Sequence, residues 1–153
     1  MPAIRGDEVE VDTDGPPHLG RFEARLYSDA GGLTQFGAFV ETLHPGASSS
    51  DRHWHEEEDE MAYILAGEVT LVEDDGETVL HPGDAAVWKA GSPIGHCLAN
   101  RSEAPASYLV VGTRSVNDRV HYSGLDKVST KRDGVVTRTR RDGSPLEPGG
   151  DVP

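Results

Sequence analysis

The sequence predicts a single all-β domain, a sandwich or barrel of short strands, on three observations. Its 153 residues match one ordinary domain built around one hydrophobic core. With 18 Gly, 10 Pro and 35% apolar residues, the composition favours short strands broken by turns over long helices. Apolar and β-branched runs also recur about every 8–12 residues between regular turn signals, the spacing of a sandwich or barrel.

The elements follow in order. Residues 1–20, MPAIRGDEVEVDTDGPPHLG, are acidic and Pro-containing and read as an N-terminal arm. LTQFGAFVETL, residues 33–43, has the apolar spacing of a strand and is stopped by the turn signal HPG at 44–46. HWH at 53–55 opens another strand, and the acid run EEEDE after it reads by itself as a solvated turn. MAYILAGEVTLVE is a pair of strands meeting at Ala66 and Gly67, and DDG at 74–76 is a tight turn into ETVL. HPGD at 81–84 turns again, AAVWK extends, AGSPIG at 90–95 loops, and HCLAN extends. ASYLVVGT at 106–113 reads as a buried strand. The barrel domain is therefore expected over residues 21–122, followed by a C-terminal extension over 123–153 whose closing TRTRRDGSPLEPGGDVP is expected to fray.

Charge narrows the partners. A formal net charge of -13 repels phosphate backbones and anionic lipid, so neither a nucleic acid nor a membrane is an expected partner. No stretch approaches the roughly 20 apolar residues of a membrane span, and the N-terminus lacks the apolar region of a signal peptide. Cys97 stands alone, which excludes an intrachain disulfide and makes a cytoplasmic location the simplest expectation.

The stretch HWHEEEDEMAYILAGEV carries the chemistry. Alternation along a strand sends His53 and His55 to one face and Trp54 to the other, a chelating pair of imidazoles. Glu60 opens the next strand and shares its face with Ala62 and Ile64, whereas Met61, Tyr63 and Leu65 face away. His96 begins a later strand with Leu98 and Asn100 on its face. Each feature alone has a plainer reading, as a solvated histidine pair, a polar turn or a hydrogen-bonded core histidine. Together, three imidazoles and a carboxylate would form a nitrogen and oxygen site suited to Fe, Mn, Ni, Co or Zn rather than Ca or Mg.

This arrangement resembles the cupin family. Its first motif is roughly G, five residues, HxH, three or four residues, E, six residues, G, and here runs Gly46, His53, His55, Glu60, Gly67 with one extra residue after Gly46. The second motif is looser: Gly83, Gly91, His96 and Asn100 match, but Lys89 stands where Pro is expected and the loop before His96 is longer by two residues. The segments RHWHEEEDE and GHCLANRS are similar to those of small, sugar-phosphate-isomerase-like cupins. The resemblance covers about residues 33–113 and implies a jelly-roll, or double-stranded β-helix, barrel with flexible terminal arms. It implies His53, His55, Glu60 and His96 as ligands of a divalent transition metal.

Asn100 is then expected to brace its strand, Trp54 and Trp88 to pack in the shell or at a subunit contact, and Tyr63 and Cys97 to pack. Lys89 reads as a surface lysine. Cupins commonly pair through an N-terminal strand, so residues 20–43 could supply a homodimer interface.

The expected function is metal-dependent chemistry on a small polar oxygen-bearing substrate. Three kinds compete: a dioxygenase; an isomerase, epimerase or lyase with Glu60 as base; and a cupin that only binds a metal or small ligand. Only Arg52, Lys89 and Arg101 read as close enough to hold a phosphate. No second carboxylate or histidine stands out as an independent acid, since His18, His44, His81 and His121 read as turn or terminal residues.

Overall fold

A computed structural model describes residues 3–146 as two antiparallel sheets that form a jelly roll. In chain order the first strands are β1 (Val11–Asp12), β2 (Phe22–Arg25), β3 (Phe36–Leu43), β4 (His53–His55), β5 (Glu60–Ala66) and β6 (Val69–Glu73). They are followed by β7 (Gly76–Leu80), β8 (Ala85–Trp88), β9 (His96–Ala99), β10 (Ala106–Thr113), β11 (Asp118–Tyr122), β12 (Val128–Arg132) and β13 (Val135–Thr139). One sheet runs β1-β2-β3-β10-β5-β8 and the other β13-β12-β11-β4-β9-β6-β7. The α-helix, α1, is a single turn over Tyr27–Ala30.

Alternation decides what each strand buries. On β5, Ala62 and Ile64 are fully buried, while Met61, Tyr63 and Leu65 on the opposite face are 37%, 41% and 46% exposed. The expected facing holds, but Tyr63 does not pack as expected, because no second layer covers this side of the sheet. Leu43, Ala62, Ile64, Val69, Leu98, Ala106, Tyr108 and Val110 belong to one contiguous core. Each large aliphatic side chain removed from water there contributes roughly 1.5–3 kcal/mol.

Two turns fix the geometry near the site. Between β5 and β6, Gly67 has φ +75, and a Cβ there would lie 2.6 Å from the Pro105 carbonyl oxygen and 2.8 Å from Ala106 Cα. Only glycine satisfies both the left-handed backbone and this close approach. Asn100, 1% exposed, stops β9: its amide donates to the Leu43 and Ala104 carbonyls at 2.8 Å, and its oxygen accepts from the backbone and hydroxyl of Ser102. It braces the strand as expected.

The ends of the chain carry more structure than the sequence suggests. In the expected N-terminal arm, β1 pairs with β2, which pairs with β3. Beyond Tyr122, β12 and β13 form a hairpin that continues the second sheet from β11. The stretch expected to fray therefore begins as a strand at Val135–Thr139; its residues 147–153 lie outside the described residues. The hairpin holds because Val128 and Ser129 are buried at 3% and 6% exposure, while β13 itself is polar and exposed and gives little sequence signal.

Candidate metal centre

His53, His55, Glu60 and His96 meet at one end of the barrel. His53 on β4 is the register partner of His96 on β9, so their rings lie 5.1 Å apart, and the His53 and His55 rings are 5.2 Å apart. Glu60 enters from the other sheet, where it pairs with Trp88 and Gly112. Nε2 of His96 lies 3.4 Å and Nε2 of His55 3.9 Å from Glu60 Oε2.

The outer nitrogens explain the orientation of the rings. His53 Nδ1 lies 2.9 Å from the Asp51 carbonyl oxygen, and His96 Nδ1 lies 3.3 Å from that of Ile94. A carbonyl can only accept, so His53 Nδ1 carries a hydrogen toward Asp51, whereas both nitrogens of His96 face acceptors, the Ile94 carbonyl and Glu60 Oε2. At His55 the same part is played by Asp118, whose Oδ2 lies 2.6 Å from Nδ1. Asp118 is 5% exposed, and its other oxygen accepts the Glu57 N–H, so it fixes both the imidazole and the acidic bend behind it. Asp118 escapes a reading of the sequence because it comes 63 residues after His55, and only the pairing of β11 with β4 brings it there.

The acid run is more than a solvated turn. Glu56 bonds His121 at 2.7 Å, Glu58 accepts from Ser115 N–H and the Lys131 ammonium, Asp59 accepts from the Ala90 N–H, and Glu60 faces the histidines. His121 accordingly sits on strand β11 rather than in a turn, stacked on Trp54 with ring centres 4.3 Å apart. Of the two tryptophans, Trp54 thus packs outside the site, whereas Trp88 lies flat on His96 at 4.0 Å and 8°.

Electrostatics shift two members of the group, Glu60 and His53. Burial alone would raise the Glu60 carboxyl, but the His96 hydrogen bond and the positive character of His53, His96 and His55 outweigh it and hold it below its ordinary value. Burial holds the His53 imidazole below its ordinary value, against the pull of the Asp51 carbonyl and Glu60. Cys97 remains a thiol, because burial pushes it up.

Ligand atoms of His53, His55 and Glu60 all lie within 4.8 Å of one another. Bonds of about 2.1 Å place ligand atoms up to about 4.2 Å apart around one ion, so a slight contraction of this group fits a transition metal, with His96 at hand. His55, Glu58 and Asp118 form a second group within the same spacing, but its imidazole atom is the Nδ1 already bonded to Asp118.

The ligand face opens on a cavity of about 220 Å³ lined by Phe39, Glu41, Ser49, Ser50, His53, Glu60, Ala62, Trp88, His96, Cys97, Leu98, Tyr108 and Val110. Here the structure corrects the sequence reading, which found no second carboxylate. Glu41 is 8% exposed on β3, opposite Tyr108 in the register with β10, and accepts a hydrogen bond from the Tyr108 hydroxyl. Burial pushes its carboxyl up to about 7, the Tyr108 bond opposing and Glu60 and Asp12 adding to the rise. A signal existed: Glu41 shares the face of Phe39 and Leu43 and is the one acid on that face of an otherwise apolar strand. None of the expected cations lines this cavity. Arg52 pairs with Asp74 at 2.9 Å, Arg101 forks onto Glu77, and Lys89 is exposed in an adjoining groove that Glu60 and Trp88 also line.

Comparison with known proteins agrees with this fold. The model of the cupin domain matches residues 39–112. A crystal structure from Silicibacter pomeroyi, described as a sugar phosphate isomerase from a cupin superfamily, is 38% identical over 99% of this chain and 100% of its own, with a TM-score of 0.88. A structure from Acidithiobacillus ferrooxidans, 22% identical over 95% of this chain and 96% of its own, shares the fold at a TM-score of 0.84. So does a polyketide cyclase from Streptomyces resistomycificus, 23% identical over 74% of this chain and 79% of its own, at 0.63. Nothing among curated proteins matches the chain.

Proposed function

We propose, from the premise that the chain belongs to the cupin superfamily, that it is a metal-dependent enzyme of the isomerase, epimerase or lyase class acting on a small polar oxygen-bearing molecule. The observation that carries this reading is the convergence of His53, His55, His96 and Glu60, three of which, His53, His96 and Glu60, line one cavity. These four side chains would hold a divalent transition metal, Fe, Mn, Ni, Co or Zn. Bound there, such an ion supplies Lewis acidity toward a substrate oxygen.

The chain's own residues do the rest. Nδ1 contacts to Asp51, Ile94 and Asp118 aim three imidazoles inward, and Glu60 adds a carboxylate to the same face. Phe39, Ala62, Leu98 and Val110 form an apolar wall that limits water and strengthens every polar contact inside. The full-length likeness to a protein described as a sugar phosphate isomerase favours redox-neutral chemistry over oxygenation.

The test loads the metal-free protein anaerobically with Fe(II), Mn(II), Ni(II), Co(II) or Zn(II). Diketones, hydroxy acids and sugars are then screened for product and for O2 uptake. Turnover without O2 supports the proposal. O2 uptake with cleavage products would replace it by the dioxygenase, and saturable binding without product by the ligand-binding cupin. A His96→Ala protein that has lost its metal yet turns over at the parent rate would remove the metal from the mechanism altogether.

A homodimer belongs to the same reading, expected from the sequence through residues 20–43. A second apolar face of the first sheet, Met61, Tyr63 and Leu65 with Val87 at 71% exposure, lies beside β8, which ends that sheet among the described residues. Light scattering decides: a mass near 16.4 kDa at every concentration would contradict the dimer.

A further inference from the structure

Glu41 and Tyr108 are the buried polar pair that the metal-binding reading leaves without a task. Tyr108 is 1% exposed and Glu41 8%, yet both line the same cavity as His53, Glu60 and His96. A carboxyl buried there costs stability unless it is bonded, and its hydrogen-bond partner among the described residues is the Tyr108 hydroxyl. One oxygen is thereby fixed, and the cavity is the space left to the other. A packing role would be served by an apolar residue at no such cost.

The remaining walls describe the substrate. The cavity of about 220 Å³ holds the equivalent of about seven waters, enough for a small molecule only. Its lining residues include two acids and no Lys or Arg. A phosphate dianion would meet Glu41 with no Lys or Arg in the lining to pair with it and only the ion held by Glu60 and the histidines as a positive charge, whereas a neutral hydroxyl or carbonyl compound would meet acceptors and donors that suit it.

We propose that Glu41 is the proton-transfer residue of this site, positioned by Tyr108, and that the substrate is a small uncharged α-hydroxycarbonyl compound. The inference rests on the isomerase or epimerase reading above. In the step, the hydrogen on the hydroxyl-bearing carbon leaves as a proton to the Glu41 carboxylate. The C–H electron pair becomes the new C=C bond, and the carbonyl π pair moves onto its oxygen, giving an enediolate. Glu41, now a carboxylic acid, returns the proton to the neighbouring carbon, while the proton of the original hydroxyl passes to the other oxygen. One carbon is oxidised and its neighbour reduced, so no external oxidant enters. Burial places the Glu41 carboxyl at about 7, where both forms needed for the two half-steps are populated at neutral pH. The Tyr108 hydroxyl, pushed well above its ordinary value by burial and by Glu41, remains a donor throughout.

The experiment follows C–H to C–D exchange by proton NMR in D2O. Metal-loaded full-length protein is given dihydroxyacetone, hydroxyacetone, D-ribulose or D-fructose, and in parallel dihydroxyacetone phosphate and ribulose 5-phosphate. The parent is expected to exchange at least one neutral compound and to handle its phosphate ester at least about ten-fold more slowly. Glu41→Gln should slow exchange by about 100-fold or more with metal content and KM unchanged. Its infrared difference spectrum should also lose the carboxylic acid carbonyl band that the parent shows near neutral pH. Tyr108→Phe should lower kcat with metal content retained. Glu41→Asp, which keeps the acid but withdraws it by one methylene, serves if the Gln variant fails to fold, and an intermediate rate is expected.

A metal-replete Glu41→Gln protein exchanging within two-fold of the parent removes Glu41 and leaves the proposed function standing. Preference for the phosphate esters overturns the uncharged substrate. A parent inert toward every compound removes the proton-transfer reading and this proposal with it.

Discussion

At the scale of single residues, the site divides into side chains the sequence announces and side chains it hides. His53, His55, Glu60 and His96 are visible because strand parity and motif spacing are both local properties of the chain. Asp118 and Tyr108 are not, since each reaches its partner across a strand pair 63 or 67 residues away in sequence. Asp118→Asn should keep the fold and weaken metal affinity by about 10–100-fold, measured by competition against a chelator, because the His55 ring loses its charged acceptor. Unchanged affinity would mean that Asp118 only braces the bend at Glu57. Glu41 gives a pH test with a definite sign. Its folded carboxyl, at about 7 against an ordinary 4.5, binds a proton that the unfolded chain has already released between those values. Stability therefore falls as pH rises through that window, by about 3 kcal/mol, and the deficit persists above it. The charged or titratable groups facing Glu41 are Tyr108, Glu60 and Asp12. Urea unfolding should find Glu41→Gln more stable than the parent by up to about 3 kcal/mol at pH 8 and nearly equal at pH 4.5; parallel curves would contradict the burial argument.

At the scale of elements, strands with alternating burial were legible and polar edge strands were not. The sequence reading places β3 through β10, β4 by the parity of its two histidines and the others because apolar runs and Gly or Pro turns mark each one. It misses β11, β12 and β13, whose residues DRVHY, VSTKR and VVTRT mix charge with β-branched side chains and draw their order from pairing rather than from an apolar face. The hairpin matters to the site all the same, since Lys131 on β12 holds Glu58 and β11 carries Asp118. Gly67 shows the other side of legibility: the motif marks the position, and the carbonyl of Pro105 at 2.6 Å from the virtual Cβ supplies the reason. Gly67→Ala should cost about 2 kcal/mol or more, from the left-handed backbone and the displaced neighbour together. Calorimetry should register this as a Tm about 4–8 °C lower, with an unchanged Tm refuting the close approach.

At the scale of the whole molecule, the net charge of -13 goes with a cavity whose lining has two acids, Glu41 and Glu60, and no Lys or Arg. Two of the three cations that the sequence suggested for it are spent on surface carboxylates, an outcome that composition alone does not reveal. An ion that binds the folded form alone stabilises it. Saturation at 100 times Kd should add about 2.7 kcal/mol, read as a Tm rise that a chelator reverses; a Tm indifferent to every metal would speak against the centre. The chain has two tryptophans, and they sit in different surroundings: Trp54 on His121, and Trp88 flat against His96 at 4.0 Å. That stacking makes the indole of Trp88 a built-in optical reporter. A paramagnetic ion such as Fe(II), Mn(II) or Co(II), if held by the His96 imidazole, would quench the Trp88 emission, so that in a Trp54→Phe protein the occupancy of the centre could be followed by the fluorescence of a single indole.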